Sequence, residues 1–204
     1  DLCVVRHFEG KTGVATYSLA VYLAESVWQV SGSLTLATYA RIGGLARQEA
    51  AELTARVMRH TLVLVGGICA LLFVVAGLVE GVLFSKYGGM ASAVRYLLPG
   101  VLMYSLAQSF SGYYSYQRGK PWAAAVVAGG GLLLDIGLAL VLVPRMGVDG
   151  AALASSIAYG AAILGGLAVF LRGTGLRASD LFLFRREDAD DYRRLLGRLW
   201  RALA

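Results

Sequence analysis

Long stretches of this 204-residue chain carry almost no charge. Residues 61–79, 96–117 and 150–171 contain no Asp, Glu, Lys or Arg, residues 121–144 contain only Asp135, and residues 12–40 only Glu25. Each stretch reaches the ~18–20 residues that cross the hydrocarbon core of a bilayer as a helix. Backbone in lipid must satisfy its own hydrogen bonds, which leaves helices and closed barrels as spanning structures. Unbroken apolar runs favour helices over the alternating pattern of barrel strands. The expected fold is an all-α integral membrane protein: a bundle of about five transmembrane helices with amphipathic surface helices. Composition agrees, with 57% hydrophobic and 16% charged residues, against about 45–50% and about 25% in soluble chains.

The net charge of +6 is distributed as topology requires rather than as nucleic-acid binding requires. One side of the expected bundle receives Arg41, Arg47, Arg56, Arg59, Arg118, Lys120 and the basic residues of the tail. The other side receives Arg6, Lys11, Lys86, Arg95 and Arg145. Cytoplasmic loops carry the excess of Lys and Arg, so the C-terminus is placed inside and the N-terminal residues outside. Residues 1–175 are read as the transmembrane bundle and 176–204 as a cytoplasmic basic amphipathic tail, with residues 180–204 on the membrane surface. Residues 43–60 have apolar positions near helical spacing and are expected to lie flat at the cytoplasmic interface. An outward N-terminus with no preceding helix to carry it across is expected if residues N-terminal to it are missing. Cys3 and Cys69 are too few and too far apart for a disulfide framework or a metal cluster.

The expected spans are 12–38, 61–84, 94–116, 122–143 and 151–171, with a stop at Pro144 and turns at 118–121 and 145–150. Within the first, Ser18, Tyr22, Glu25, Gln29 and Ser33 recur every three or four residues and so share one helical stripe. An ionisable side chain within a membrane span is costly and is a functional candidate by default. Two readings of Glu25 stand: it lines a water-filled cavity, or it ties two helices together by a hydrogen bond. Tyr104, Gln108, Ser111 and Ser115 repeat the pattern in the third span, with Tyr113, Tyr114 and Tyr116 toward its cytoplasmic end. Asp135 either pairs with a donor on a neighbouring helix or titrates as a coupling group. Gly129, Gly130 and Gly131 lack the Lys-Ser/Thr of a phosphate loop and are read as a close helix contact or a bend. Ala151, Ala154, Ser155, Ala158 and Ala162 give the last span a small-residue face for the same purpose. His7 and His60 fall on opposite sides of the membrane, and no nucleophile–base constellation is recognisable, so the chain is not read as an enzyme. No cofactor is expected.

Several short features in order resemble one family. "GVATYSLAVYLAES" resembles the helix opening G-x-Y-S-x-A-x-x-L-x-E of polysaccharide exporters. "LFSKYGGMASAVRYLLPG" resembles their outer loop leading into a helix marked Leu-Pro. "YSYQRGKPWAAAVVAGGGLLLDIGLALVLVPRMGVDGAALASSIAY" resembles their Gly-Lys-Pro turn, helix, Val-Pro and Gly-Ala-Ala-x-Ala-Ser run. The family is that of the lipid-linked oligosaccharide (O-antigen and other polysaccharide) flippases of the multidrug/oligosaccharidyl-lipid/polysaccharide exporter superfamily. The resemblance covers residues 13–171 and implies most of the C-terminal lobe of a two-lobed, alternating-access transporter. It further implies the bacterial cytoplasmic (inner) membrane, an undecaprenyl-linked oligosaccharide as cargo, a role in surface polysaccharide such as lipopolysaccharide, and an N-terminal lobe as partner beside the membrane lipids. The chain departs from the family in having Asp135 where Asn is common, and Tyr39-Ala40 where Pro often stands. A multidrug or cation antiporter of the same superfamily is the alternative, and a membrane glycosyltransferase or polymerase a more distant one.

The orientation is testable with single cysteines on a background lacking both Cys3 and Cys69. A cysteine at Gly119 is expected to be shielded in intact cells from a membrane-impermeant thiol reagent, and one at Gly147 to react. The reverse labelling pattern overturns the orientation.

Overall fold

The computed structural model describes residues 1–119, 122–185, 187–190 and 192–194. Lys120, Pro121, Arg186, Asp191 and residues 195–204, on which part of the expected inner turn and of the expected tail helix falls, lie outside the described residues. Those described form an all-α bundle: α1 (Leu2–Glu25), α2 (Trp28–Gly44), α3 (Arg47–Leu83), α4 (Met90–Gly112), a π-helical turn (Tyr113–Gln117), α5 (Trp122–Met146), α6 (Val148–Thr174) and the short α7 (Ala178–Phe182). Among the described residues, four helices are long and apolar enough to cross a membrane: α3, α4 with the turn after it, α5 and α6. The protein is thus a multi-pass membrane protein.

The expected span 12–38 differs most from its prediction. Gly10 adopts φ 66° and ψ −160°, a left-handed break inside α1 that glycine takes at little steric cost. The chain doubles back there. Asp1 and Tyr17 stand 16 residues apart, about 24 Å along a straight helix, yet the Tyr17 hydroxyl donates to Asp1 Oδ2 at 3.1 Å.

A second interruption falls at Ser26 and Val27. The Ser26 N–H still bonds four residues back to Tyr22. The N–H groups of Val27, Gln29 and Val30 bond only three back, at 3.4, 3.2 and 3.1 Å, while the Ser26 hydroxyl takes the Leu23 carbonyl at 2.7 Å. Such side-chain bonding to the preceding turn competes with the helical ladder, and three-residue bonds tighten the winding. The division leaves α2 with 17 residues, about 26 Å and short of a ~30 Å hydrocarbon core. That is why four helices rather than five meet the length and apolarity of a span.

The expected flat interfacial helix at 43–60 is corrected as well. Residues from Arg47 onward run without a turn into the apolar span, making α3 37 residues long, about 55 Å. No glycine or proline interrupts residues 47–65. The charged half is packed rather than floating: Ala50, Ala51, Ala55 and Met58 are buried against Ile42, Leu106, Phe110 and Phe170. Past Thr61, only Val65, Cys69 and Ala76 are buried, and Leu71, Val74, Leu78 and Val82 are exposed. Such a lone inward stripe suits a helix at the bundle rim with lipid on its other faces.

α4 lies between α3 and α6 and is the best buried of the spans. Gly100 is the reason α6 comes so close. Its N–H donates to Ser156 Oγ at 2.8 Å, and a Cβ there would stand 2.5 Å from the Ser156 Cα. Pro99, just before it, has an exposed side chain. The expected stop at Pro144 is not observed; α5 runs on to Met146 and turns at Gly147, with φ 59°. At Gly150 a Cβ would meet the Leu142 carbonyl oxygen at 2.3 Å, so glycine brings α5 and α6 together at that end. The small-residue face of the last span is indeed its contact face, since Ala151, Ala154, Ser155 and Ala158 are all buried. In the triple glycine only Gly131 makes a close approach, to the Ala162 Cβ; Gly129 and Gly130 face open space.

Gly100→Ala forces backbone apart and is expected to lower stability by about 1–3 kcal/mol, read as a lower thermal midpoint in detergent. Gly129→Ala meets nothing and is expected to leave the midpoint unchanged or raise it. Equal midpoints for the two variants would refute this account of the α4–α6 contact.

Candidate functional site

A cavity of about 890 Å³ opens among the spanning helices, walled by the α1–α2 junction, α4, α5 and α6. Glu25 ends α1 and Trp28 begins α2, so the tightened turn at Ser26–Val27 presents both to the cavity. Glu25 Oε1 accepts from the Tyr159 hydroxyl of α6 at 3.1 Å. The Tyr159 ring meets Trp28 edge-on with centroids 5.8 Å apart, and Tyr104 of α4 lies 4.5 Å from Trp28 and 5.3 Å from Tyr159. Trp28 Nε1–H donates to the Val101 carbonyl at 3.2 Å, which sets the angle of the indole. Three aromatic rings and one carboxylate thus form a continuous patch contributed by α1, α2, α4 and α6.

A second polar cluster adjoins it. Asp135 of α5 is 6% exposed and accepts from Ser155 Oγ at 3.2 Å. Ser155 also lies 3.0 Å from the Tyr17 hydroxyl and 3.1 Å from Asp1 Oδ2. Four side chains from α1, α5, α6 and the folded-back N-terminal segment therefore share two hydroxyl protons. A serine hydroxyl has one hydrogen, so Ser155 serves one carboxylate at a time.

The sequence-predicted residues divide. Glu25, Tyr104, Gln108, Ser111 and Asp135 line the cavity. Ser18 is half-buried and does not line it. Tyr22 is 81% exposed, and Gln29 and Ser33 are exposed as well, so the expected five-residue stripe is corrected. The face of α1 and α2 turned to the bundle carries Gly13, Tyr17, Ala20, Ala24, Val27, Ser31 and Thr35. Small residues decide contact faces between membrane helices because they let backbones approach, and here that stripe outweighed the polar one. The shorter winding at Ser26–Val27 further separates Gln29 from the direction of Glu25.

Tyr159, Trp28, Tyr17 and Ser155 escaped sequence reasoning as site residues. Trp28 stands three residues after Glu25, a spacing that puts the two on one helical face. Tyr159 ends the Ala-Ser-Ser-Ile-Ala-Tyr run one turn beyond Ser155. Both signals were present as spacing, but neither identifies a partner on another helix.

A separate charged cluster ties the tail to α3. Arg59 is buried and grips Asp188 through Nε at 2.6 Å and Nη2 at 2.9 Å, while its Nη1 donates to the Asp180 carbonyl at 2.6 Å. Arg56 pairs with Glu187 at 2.9 Å, and His60 lies 3.1 Å from the Tyr192 hydroxyl. The tail is therefore pinned to the charged half of α3, a role the loop-charge reading of Arg59 did not foresee. Burial pushes the Asp188 carboxyl up, but the Arg59 hydrogen bonds and charge, with the Arg185 backbone N–H, outweigh it and hold the group below its ordinary value. At Asp180 the Arg177 backbone N–H acts first, with Arg185 in support, and lowers that carboxyl too.

No family model matches this chain, and no match to it was found among curated proteins or solved structures. The fold and cavity define a class, an all-α multi-pass membrane protein with an aromatic, carboxylate-bearing cavity between its spans.

A carboxyl lowered in the folded state stabilises above its unfolded pKa, and that stability is lost as pH falls through the folded value. The tail is expected to stay docked at neutral pH and to release only at pH values at and below the ordinary aspartate range. Asp188→Asn at neutral pH leaves Arg59 buried without its counter-charge, a change that costs about 3–5 kcal/mol in buried pairs. Hydrogen exchange over residues 178–190 reads both effects; protection unchanged in the variant would show that the ion pair does not hold the tail.

Proposed function

We propose that this protein is a membrane transporter that moves undecaprenyl-linked oligosaccharide across the bacterial cytoplasmic membrane for surface polysaccharide biosynthesis, by alternating access. One observation carries the reading: a large cavity among the spans that holds the carboxylates of Glu25 and Asp135 together with Tyr104, Gln108, Ser111 and Tyr159. Carboxylates and amides among spanning helices mark substrate or ion pathways, and the volume lies in the range of ligand sites, about 300–1,000 Å³. The order of the Gly-Lys-Pro, Val-Pro and Gly-Ala-Ala-x-Ala-Ser segments supports the same family. In this reading the sugar head occupies the cavity, the prenyl chain stays in lipid, and an N-terminal lobe closes the cavity from the opposite side. The protein carries its cargo without chemical change.

A second reading, a multidrug or cation antiporter of the same superfamily, is favoured by the charge of the lining. Among the described residues around the cavity there are carboxylates but no Lys, Arg or His.

Glu25 discriminates a pathway role from a purely structural one. Glu25→Gln keeps the shape and can still accept from Tyr159, so the thermal midpoint is expected to hold while polysaccharide export falls or its pH dependence shifts. Glu25→Leu removes the acceptor as well and is expected to be worse in export. A Glu25→Gln variant with normal export at every pH, beside a Glu25→Leu variant that only melts earlier, would reduce Glu25 to a helix tie.

A further inference from the structure

Within the cavity, the ring patch and the carboxylate differ in what they offer a ligand. The three rings touch one another at centroid distances of 4.5–5.8 Å. A cation needs a ring face within about 6 Å on its own side, and rings packed this closely leave no space for one between them. What remains available is their outer side, an apolar wall of rings inclined 34–62° to one another rather than one flat face. The indole N–H is spent on the Val101 carbonyl and the Tyr159 hydroxyl on Glu25 Oε1. Glu25 Oε2 makes no hydrogen bond among the described residues. An ionised carboxylate is acceptor-only, so that oxygen is open to a donor from a ligand.

Charge narrows the ligand further. A phosphate seated here would face the carboxylates of Asp1, Glu25 and Asp135 with no Lys, Arg or His side chain among the described lining residues, an arrangement a low-dielectric site penalises heavily. An uncharged ring with one apolar face and hydroxyl donors at its edge meets every requirement. The apolar face covers the rings, and two neighbouring hydroxyls reach the free side of Glu25. One and two turns beyond Tyr104 on α4, Gln108 and Ser111 supply both donors and acceptors for a following unit.

We propose that Trp28, Tyr104 and Tyr159, with Glu25 at their edge, form a binding subsite for an uncharged pyranose ring, from which the phosphate of a lipid-linked sugar is excluded. The inference rests on reading the cavity as the path of a sugar-bearing lipid, and it assigns the sugar and phosphate parts of that cargo to different places.

The test uses the full chain in phosphatidylcholine nanodiscs carrying Trp122→Phe and Trp200→Phe, which leaves Trp28 as the sole tryptophan. Chitobiose, cellobiose and maltose are titrated as neutral probes, glucose 1-phosphate as the anionic probe and tetraphenylphosphonium as the cationic one. At least one neutral disaccharide is expected to change Trp28 emission saturably, with affinity falling tenfold or more in Tyr159→Leu and in Glu25→Gln. Glucose 1-phosphate is expected to bind at least tenfold more weakly. If Tyr159→Leu does not fold, Glu25→Gln alone decides. The subsite is overturned by no saturable change with any neutral disaccharide, by affinity unchanged in the folded variants, by glucose 1-phosphate binding as well as the neutral probes, or by a response to tetraphenylphosphonium alone. Transport is scored separately. Sugar binding without export in cells leaves the subsite standing and removes the transport reading, while export without sugar binding does the opposite.

Discussion

The contact between Gly100 of α4 and Ser156 of α6 sets the position of most groups that line the cavity. A glycine allows the two backbones to meet, and the hydrogen bond from the Gly100 N–H to Ser156 Oγ fixes their register. One turn beyond on α4 stands Tyr104, and on α6 Tyr159; their rings meet at 5.3 Å. On the adjoining face of α6, Ser155 reaches Asp135 and Tyr17. Lipid supplies no hydrophobic drive for helices to associate, so close packing and interhelical hydrogen bonds carry the load. A side chain at position 100 would separate the aromatic patch and loosen both polar clusters together.

The second constraint is backbone geometry in the first forty residues. The left-handed Gly10 folds the leading segment back against Tyr17 and Ser155, and the tightened turn at Ser26 and Val27 separates α1 from α2. Interrupted helices within membrane bundles persist where the freed groups find partners or line a cavity. Here the interruption falls between Glu25 and Trp28, and both stand at the cavity wall. The same region thus loses the character of a simple span and gains two site residues.

Outside the spans, charge replaces small-residue packing as the organising interaction. The charged half of α3 keeps an alanine-rich face against the bundle, and from it Arg59 reaches the tail at Asp188 and the Asp180 carbonyl. Both partners of the Arg59–Asp188 pair are nearly inaccessible. Such pairs are costly to break and specify geometry more than they add stability, which holds the tail to one place on the charged half of α3.

By itself the sequence determined the fold class, because long uncharged runs leave helices as the structure that satisfies every backbone group in lipid. It also marked Glu25, Tyr104, Gln108, Ser111 and Asp135, since polar groups inside apolar runs stand out without reference to any neighbour. The small-residue face of α6 was legible for the same reason. Tertiary structure decided what those groups meet. The Tyr159–Glu25 bond joins residues 134 positions apart, and the Arg59–Asp188 pair joins residues 129 apart; periodicity along one helix contains no term for either. Tyr22, Gln29 and Ser33 share a stripe on paper, yet the stripe buried in the bundle is that of Gly13, Tyr17, Ala20 and Ala24, which no single-helix pattern selects. The end of α3 likewise depended on what lay beneath it, for an amphipathic segment can float on lipid or pack on protein with the same pattern, and here Ile42, Leu106 and Phe170 supplied the apolar surface that kept it in the bundle.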